Sequence, residues 1–257
     1  MLPRSRVRAL AAGAGSISGA SVVTVVEVQV LDGGAPIIQF SWGVPTKAMV
    51  AAVRDVKAKL GIQAVSADSA GAALDRGADF LVCQGTEAGG HVEASRGLCE
   101  TLPIVLEEAR DTPVIAAGGI GNGQGIYKVL TVGASGAALG TRFLAATEST
   151  AHPDYKRALV AAGGKDSALT ICFQDGWSAI HRVLRNRTFI MWETARCKSL
   201  GNRPGEGDVV ATQDDGTKIV RYENTSPRIG FGGTVTECPM YGGTSVEYIK
   251  DLPGQEN

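Results

Sequence analysis

A short apolar strand, a glycine-rich turn, an amphipathic helix and a closing glycine recur through residues 37 to 141, and few folds accept that alternation. Asp79-Phe80-Leu81-Val82-Cys83 is almost continuously apolar, as a parallel strand covered on both faces must be. Ile37 to Ser41, Ile62 to Ser66, Pro113 to Ala117 and Ser135 to Leu139 read as strands of the same series, and Val-rich Val22 to Val30 as one more ahead of them. Thr46 to Leu60, Ala67 to Arg76, Leu102 to Ala109 and Gln124 to Val132 carry apolar residues at helical spacing. Gly61 and Gly77 stop the first two. A period of roughly 20–25 residues is that of a βα unit in a parallel sheet. Two architectures satisfy it, an open doubly wound sheet and a (β/α)8 barrel, and both bind ligands at the carboxyl ends of the strands.

The segments that follow the strands are therefore where chemistry is expected. Gln84 to His91 follows the strand that ends at Cys83, Gly118 to Gly123 follows Ala117, and Gly140-Thr141-Arg142-Phe143 follows Leu139. Gly118 and Gly119 let a ligand approach the backbone closely, and the turn opens a helix whose N–H groups favour a phosphate. Gly140-Thr141 repeats the arrangement one strand later, with a hydroxyl as an added donor. Two successive loops of this kind form the usual phosphate site of a barrel; either alone reads more readily as a tight turn. Gln84 brings an amide to the strand end, and Gly89 and Gly90 expose backbone beside it. His91 is the imidazole on this face, able to act as acid, base or donor to an anion. Glu87 reads as exposed loop charge rather than the acceptor of a backbone hydrogen bond. His152 and His181 fall in the last third of the chain, and no spacing connects them to His91. Metal-ligand spacing of the His-x-x-x-His kind is absent, and no metal is expected.

Composition narrows the partners. The formal net charge of -1 gives no pull toward nucleic acid or an anionic membrane. The five cysteines have no Cys-x-x-Cys spacing and read as reduced thiols, mostly packing residues. Met1 to Arg8 holds three arginines, and no acidic residue precedes Glu27, which loosely resembles a transit peptide. Gly13, Gly15 and Gly19 interrupt the apolar stretch that follows, so a signal peptide or membrane span is not expected there. A cytoplasmic location is expected, with organellar targeting the weaker alternative. Ala12 to Gly19 echoes a dinucleotide loop but lacks a convincing strand before it.

Residues 36–145 resemble the nitronate monooxygenase family, formerly called 2-nitropropane dioxygenase, whose members are FMN-dependent TIM barrels. The match lies in Ile38-Gln39-Phe40-Ser41-Trp42-Gly43-Val44-Pro45, in Gly77-Ala78-Asp79 through His91, in Pro113 to Gly121 and in Gly133 to Leu144. Pro239-Met240-Tyr241-Gly242-Gly243 is similar to the family's C-terminal segment. The resemblance implies that Gln84, Gly89 and Gly90 meet the flavin. It also implies that Gly118, Gly119, Ala138, Leu139, Gly140 and Thr141 hold its phosphate, and that His91 is catalytic. The implied reaction takes an alkyl nitronate and oxygen to a carbonyl compound and nitrite, and a homo-oligomer is compatible with it.

The resemblance settles the fold expectation on an α/β, (β/α)8 TIM-barrel type. Three strand units precede Ile38 in that family, whereas here one is readable, so the barrel is expected to be incomplete on its N-terminal side. The expected organisation is an irregular segment over 1–21, a partial FMN-binding barrel over 22–150, and a cap over 151–257 packed on the same domain. Within the cap, Thr150 to Arg196 looks helical, and Asp208 to Gln213 with Thr217 to Tyr222 flank a surface hairpin turn at Asp214-Asp215-Gly216. Two alternatives remain open. Flavin-dependent enoyl-acyl carrier protein reductases have a similar histidine loop, and a truncated, non-catalytic barrel fragment is the other.

Overall fold

The computed structural model of the chain describes residues 34–253. The strand expected over Val22 to Val30 and the Ala12 to Gly19 run lie outside the described residues. The first half contains, in order, β1 (Ile37–Phe40), α1 (Lys47–Asp55), β2 (Lys59–Ala64), α2 (Ala67–Asp75), β3 (Phe80–Gln84), β4 (Gly90–His91), α3 (Leu98–Ala109), β5 (Val114–Ala117), α4 (Gly123–Val132) and β6 (Gly136–Ala138). Five of these strands form a parallel sheet in the order β1-β2-β3-β5-β6, the α/β alternation expected from the sequence. Leu81 pairs with Val114, and Ile115 with Gly136, so all strand ends point the same way.

One face of the sheet packs on the helices. Leu60, Ile62 and Ala64 of β2, Leu81 and Cys83 of β3, and Val114 and Ala116 of β5 are buried against Val53, Ala73, Leu102, Val105 and Val129 of the helices. The period of two along each strand sends the intervening residues to the opposite face. There Gly61 lies under Phe80: a side chain at Gly61 would run into the Phe80 ring. Gln63 is buried on the same face and donates from Nε2 to Glu93 at 2.7 Å. At the sheet's margins among the described residues, β1 alternates between exposed and half-buried positions, and no residue of β1 or β6 is fully buried.

Two boundaries differ from the sequence expectation. Helix α1 ends at Asp55, not Leu60, because Lys57 turns into the left-handed region at φ 59° and Lys59 has already entered β2. Val53 and Leu60 are both buried, one from a helix and the other from a strand, and their spacing mimics a single helical stripe. Glu87 also departs from expectation, as described below.

The remainder comprises α5 (Thr141–Leu144), α6 (Pro153–Ala161), β7 (Ser167–Thr170), β8 (His181–Leu184), α7 (Arg187–Thr194), β9 (Val209–Thr212), β10 (Lys218–Val220) and β11 (Gly232–Gly233). Thr150 to Arg196 is thus not one helical region. Two strands interrupt it, and β8 pairs antiparallel with both β7 and β4. The expected hairpin is present as β9 and β10, joined through Asp214-Asp215-Gly216 and flanked by β11. All five cysteines carry free thiols. Among the described residues no helix is long and apolar enough to cross a membrane.

Candidate active site

The loop from Gln84 to His91 is fastened at nearly every residue. Gln84 leaves β3 with both ends of its amide engaged: Nε2 donates to the His91 carbonyl at 3.2 Å and Oε1 accepts from the Glu93 N–H at 2.9 Å. The Thr86 N–H donates to the Arg96 carbonyl, and the Thr86 carbonyl accepts from Arg182 Nε at 2.8 Å. Glu87 is turned inward. Its Oε2 accepts from the N–H of Leu98, the first residue of α3, at 2.9 Å. The α3 N-cap is Gly97, which has no side chain to do this, so Glu87 satisfies an orphan donor from another segment. The expectation of an exposed Glu87 is corrected accordingly. Three glycines make room for it, since a Cβ at Gly97 would meet its Oε1 at 2.8 Å, one at Gly119 its Cβ at 2.8 Å, and one at Gly85 the Leu98 Cα at 2.6 Å.

The C-terminal segment Gly242-Gly243-Thr244 joins the three glycine-rich loops. A Cβ at Gly89 would meet the Gly243 N at 2.5 Å. Thr244 donates its N–H to the Glu87 carbonyl at 3.0 Å, and its hydroxyl lies against Gly119. Gly243 donates its N–H to the buried Thr141 Oγ1 at 3.0 Å. Thr141 still has its own O–H to donate. Gly118 and Gly119 adopt φ of 109° and 71°, a region that favours glycine. Their bare faces meet protein first: a Cβ at Gly118 would touch Ala88 N at 3.0 Å and Gly85 O at 3.1 Å. At Gly140, by contrast, a Cβ would meet nothing within 4 Å. Ala138 and Leu139 bring the chain to it from β6. Asn122 accepts from the Gly125 N–H at 2.8 Å and caps α4 below the Gly118 loop.

His91 is surrounded by aromatic rings. Trp177 lies against it with ring centroids 3.9 Å apart and 33° between planes. Tyr241 is at 5.4 Å and His181 at 5.7 Å. Trp42 meets Trp177 edge-on at 5.2 Å. His91 Nε2 is buried and has no hydrogen-bond partner among the described residues. Burial, and secondarily the neighbouring His181, push the His91 pKa down to about 4. It is therefore neutral at pH 7, with one ring nitrogen a donor and the other an acceptor.

His181 is fixed in place from both ring nitrogens. Nδ1 donates to the Ala179 carbonyl at 2.9 Å and Nε2 accepts from the Phe173 N–H at 3.1 Å. A proton on Nε2 would break that second bond, and burial also lowers its pKa. His181 stands directly opposite His91 in the β4–β8 pairing, a link that no sequence spacing announces.

Sequence reasoning placed Gln84, Gly89, Gly90, His91, Gly118, Gly119, Ala138, Leu139, Gly140 and Thr141 on the ligand face, and these lie on or beside the carboxyl ends of β3, β5 and β6. It missed Trp177, His181, Glu93 and Thr244. Tyr241 and Gly242-Gly243 did carry a signal, in the tail segment. The fold and this face define a segment of an α/β barrel, with glycine-rich loops and an enclosed imidazole, His91, at its strand ends. The sequence profile of the nitronate monooxygenase family matches residues 4–225. The nitronate monooxygenase of Pseudomonas aeruginosa is 39% identical over 159 residues, which span 59% of this chain and 44% of that protein. A probable nitronate monooxygenase of Staphylococcus saprophyticus is 32% identical over 150 residues, 55% of this chain and 42% of that protein. The match thus spans less than half the length of these relatives. Among solved structures, a nitroalkane oxidase from Streptomyces ansochromogenes superposes with TM-score 0.69 and 28% identity, covering 90% of this chain and 64% of that one. FabK from Thermotoga maritima shares the fold, with TM-score 0.66 and 22% identity over 89% of this chain and 67% of that one. The chain belongs to the nitronate monooxygenase family.

Proposed function

We propose that the chain binds FMN and oxidises alkyl nitronates to carbonyl compounds and nitrite with oxygen. The observation that carries this reading is His91 Nε2, a buried ring nitrogen with no partner among the described residues, at the carboxyl ends of the parallel strands. A buried polar atom left unpaired costs about 1–3 kcal/mol, and a ligand group that pairs with it recovers that cost. The open face of Gly140 and the free O–H of Thr141 fit a phosphate; Ala138 and Leu139 lead to it, and Gly118 and Gly119, whose bare faces pack on protein, would contribute backbone N–H groups only. Gln84, Gly89 and Gly90 would border the ring system.

Bound FMN supplies the electron acceptance from the nitronate and the return of electrons to oxygen. The chain's own residues bind and orient. Neutral His91 donates an N–H to a nitronate oxygen, or takes the carbon proton of a neutral nitroalkane through its unprotonated nitrogen. Trp177 and Tyr241 shield the imidazole, Trp42 packs on Trp177, and His181 pairs with the strand that holds it. Purified full-length chain is expected to be yellow and to release nitrite from propyl nitronate. His91→Ala is expected to cut nitrite release by about 100-fold or more, the usual weight of one acid–base group. Nitrite release that survives this substitution would refute the role of His91. Anaerobic bleaching by NADH without nitrite release would instead place the chain with the enoyl reductases.

A further inference from the structure

Three aromatic rings enclose His91, and two of them are tied down. The Tyr241 hydroxyl donates to the Asn224 carbonyl at 3.0 Å, and the Tyr241 carbonyl accepts from the buried Tyr155 hydroxyl. The His181 ring is bonded to backbone at both nitrogens. Trp177 differs. Among the described residues no hydrogen bond holds its indole N–H, and the side chain is only half-buried.

The Trp177 backbone, in contrast, is mounted firmly. Its N–H donates to the Gln174 carbonyl at 3.1 Å and its carbonyl accepts from the Ala179 N–H at 2.9 Å. Asp175 is gripped by Arg203 through two bonds of 2.8 and 2.7 Å. Ile180 accepts from the Val92 N–H at 2.9 Å. The backbone is thereby fastened on both sides of Trp177, whereas the indole turns about side-chain bonds that no hydrogen bond among the described residues restrains. Among the described residues His91 Nε2 is buried with the indole ring centroid 3.9 Å from that of the imidazole.

We propose that Trp177 is the gate and specificity-determining residue of the site: its indole swings off His91, and the substrate takes the place the ring vacates. This rests on the nitronate reading above for the identity of the substrate, though not for the gate itself. The vacated slot is flat and bounded by the edge of Trp42 and the ring of Tyr241. It suits a planar nitronate group set against the imidazole with an apolar tail along the aromatic walls. Tail length is then limited by how far the indole turns.

The gate is tested on the full chain without flavin or substrate. Diethyl pyrocarbonate acylates accessible neutral imidazoles, and peptide mass spectrometry reads His91, His152 and His181 separately. In Trp177→Ala, labelling of His91 is expected to accelerate about tenfold, as local exposure governs such rates. His181 labelling should stay at its wild-type rate, and Trp177→Phe should fall between. Unchanged His91 labelling overturns the proposal, as does a rise shared equally by His181, which would report general opening. The specificity is read from KM for ethyl, propyl and pentyl nitronates. Trp177→Ala should shift preference toward pentyl nitronate, and an unchanged order overturns that half of the proposal. If the wild-type chain releases no nitrite from any nitronate, the functional reading fails while the labelling comparison still decides the gate.

Discussion

Glu87 is the residue on which the candidate site turns. It sits in the same loop as His91, caps α3 through Leu98, lies against Gly119 of the next loop and offers its carbonyl to Thr244 of the tail. A carboxylate oxygen at a helix N-terminus also meets the positive end of the helix dipole. Glu87→Ala is expected to lower stability by about 1–2 kcal/mol, the range of a lost helix cap. It should weaken FMN binding as well, because Gly119 loses its support. Glu87→Gln keeps an oxygen that accepts from Leu98 and should recover most of both losses, whereas Glu87→Asp, one methylene shorter, should not. Urea unfolding and flavin titration measure the two effects. Flavin affinity unchanged in Glu87→Ala would leave Glu87 a helix cap and nothing more. At this scale the sequence made His91 and the glycines legible, because residue type and position after a strand suffice. It did not show Glu87 reaching Leu98, eleven residues on. It did not show Trp177 on His91 either, because neither contact follows a local period.

Among the elements, the parallel strands were the most legible, since burial on both faces demands a continuous apolar run. Phe80 to Gln84 and Val114 to Ala117 match that pattern to within a residue. β2 was read three residues late because Lys59-Leu60 continues the helical stripe of α1, and only the backbone at Lys57 reveals the break. β7 and β8 were missed for a different reason. Each has four residues, too few to establish a period, and the second partner of β8, β4, lies far away in sequence. Within the sheet, Gly61 allows the Phe80 ring to cross β2. Gly61→Ala leaves the backbone conformation allowed but sets a methyl into that ring. A destabilisation of about 1–3 kcal/mol is expected, as for other overpacked core sites. Phe80→Leu should relieve it in the double variant, making the two changes non-additive. Additive denaturation free energies would show that the two side chains do not collide.

At the scale of the whole molecule, the enclosed histidines tie stability to pH. His91 has its pKa pushed down to about 4, and His181 is lowered too, in both cases first by burial. In the unfolded chain both return to an ordinary value of about 6.5. Between these values the unfolded state binds more protons than the folded state, so stability rises with pH. The contribution is complete above about pH 6.5 and is lost as the pH falls toward 4. Carboxylates with lowered folded values act further down: Glu206 is held to about 2 by the Gly201 backbone and then Arg203, and its contribution fades only below its ordinary value. Loss between pH 6.5 and 5 therefore belongs to the imidazoles. His91→Gln replaces the titrating ring with a neutral amide and should flatten the melting-temperature profile in that window while leaving the fall below pH 4 in place. Melting curves from pH 4 to 8 decide it. A His91→Gln profile parallel to that of the wild type would mean that the imidazole meets water in the folded chain, and the aromatic enclosure around it would have to be abandoned.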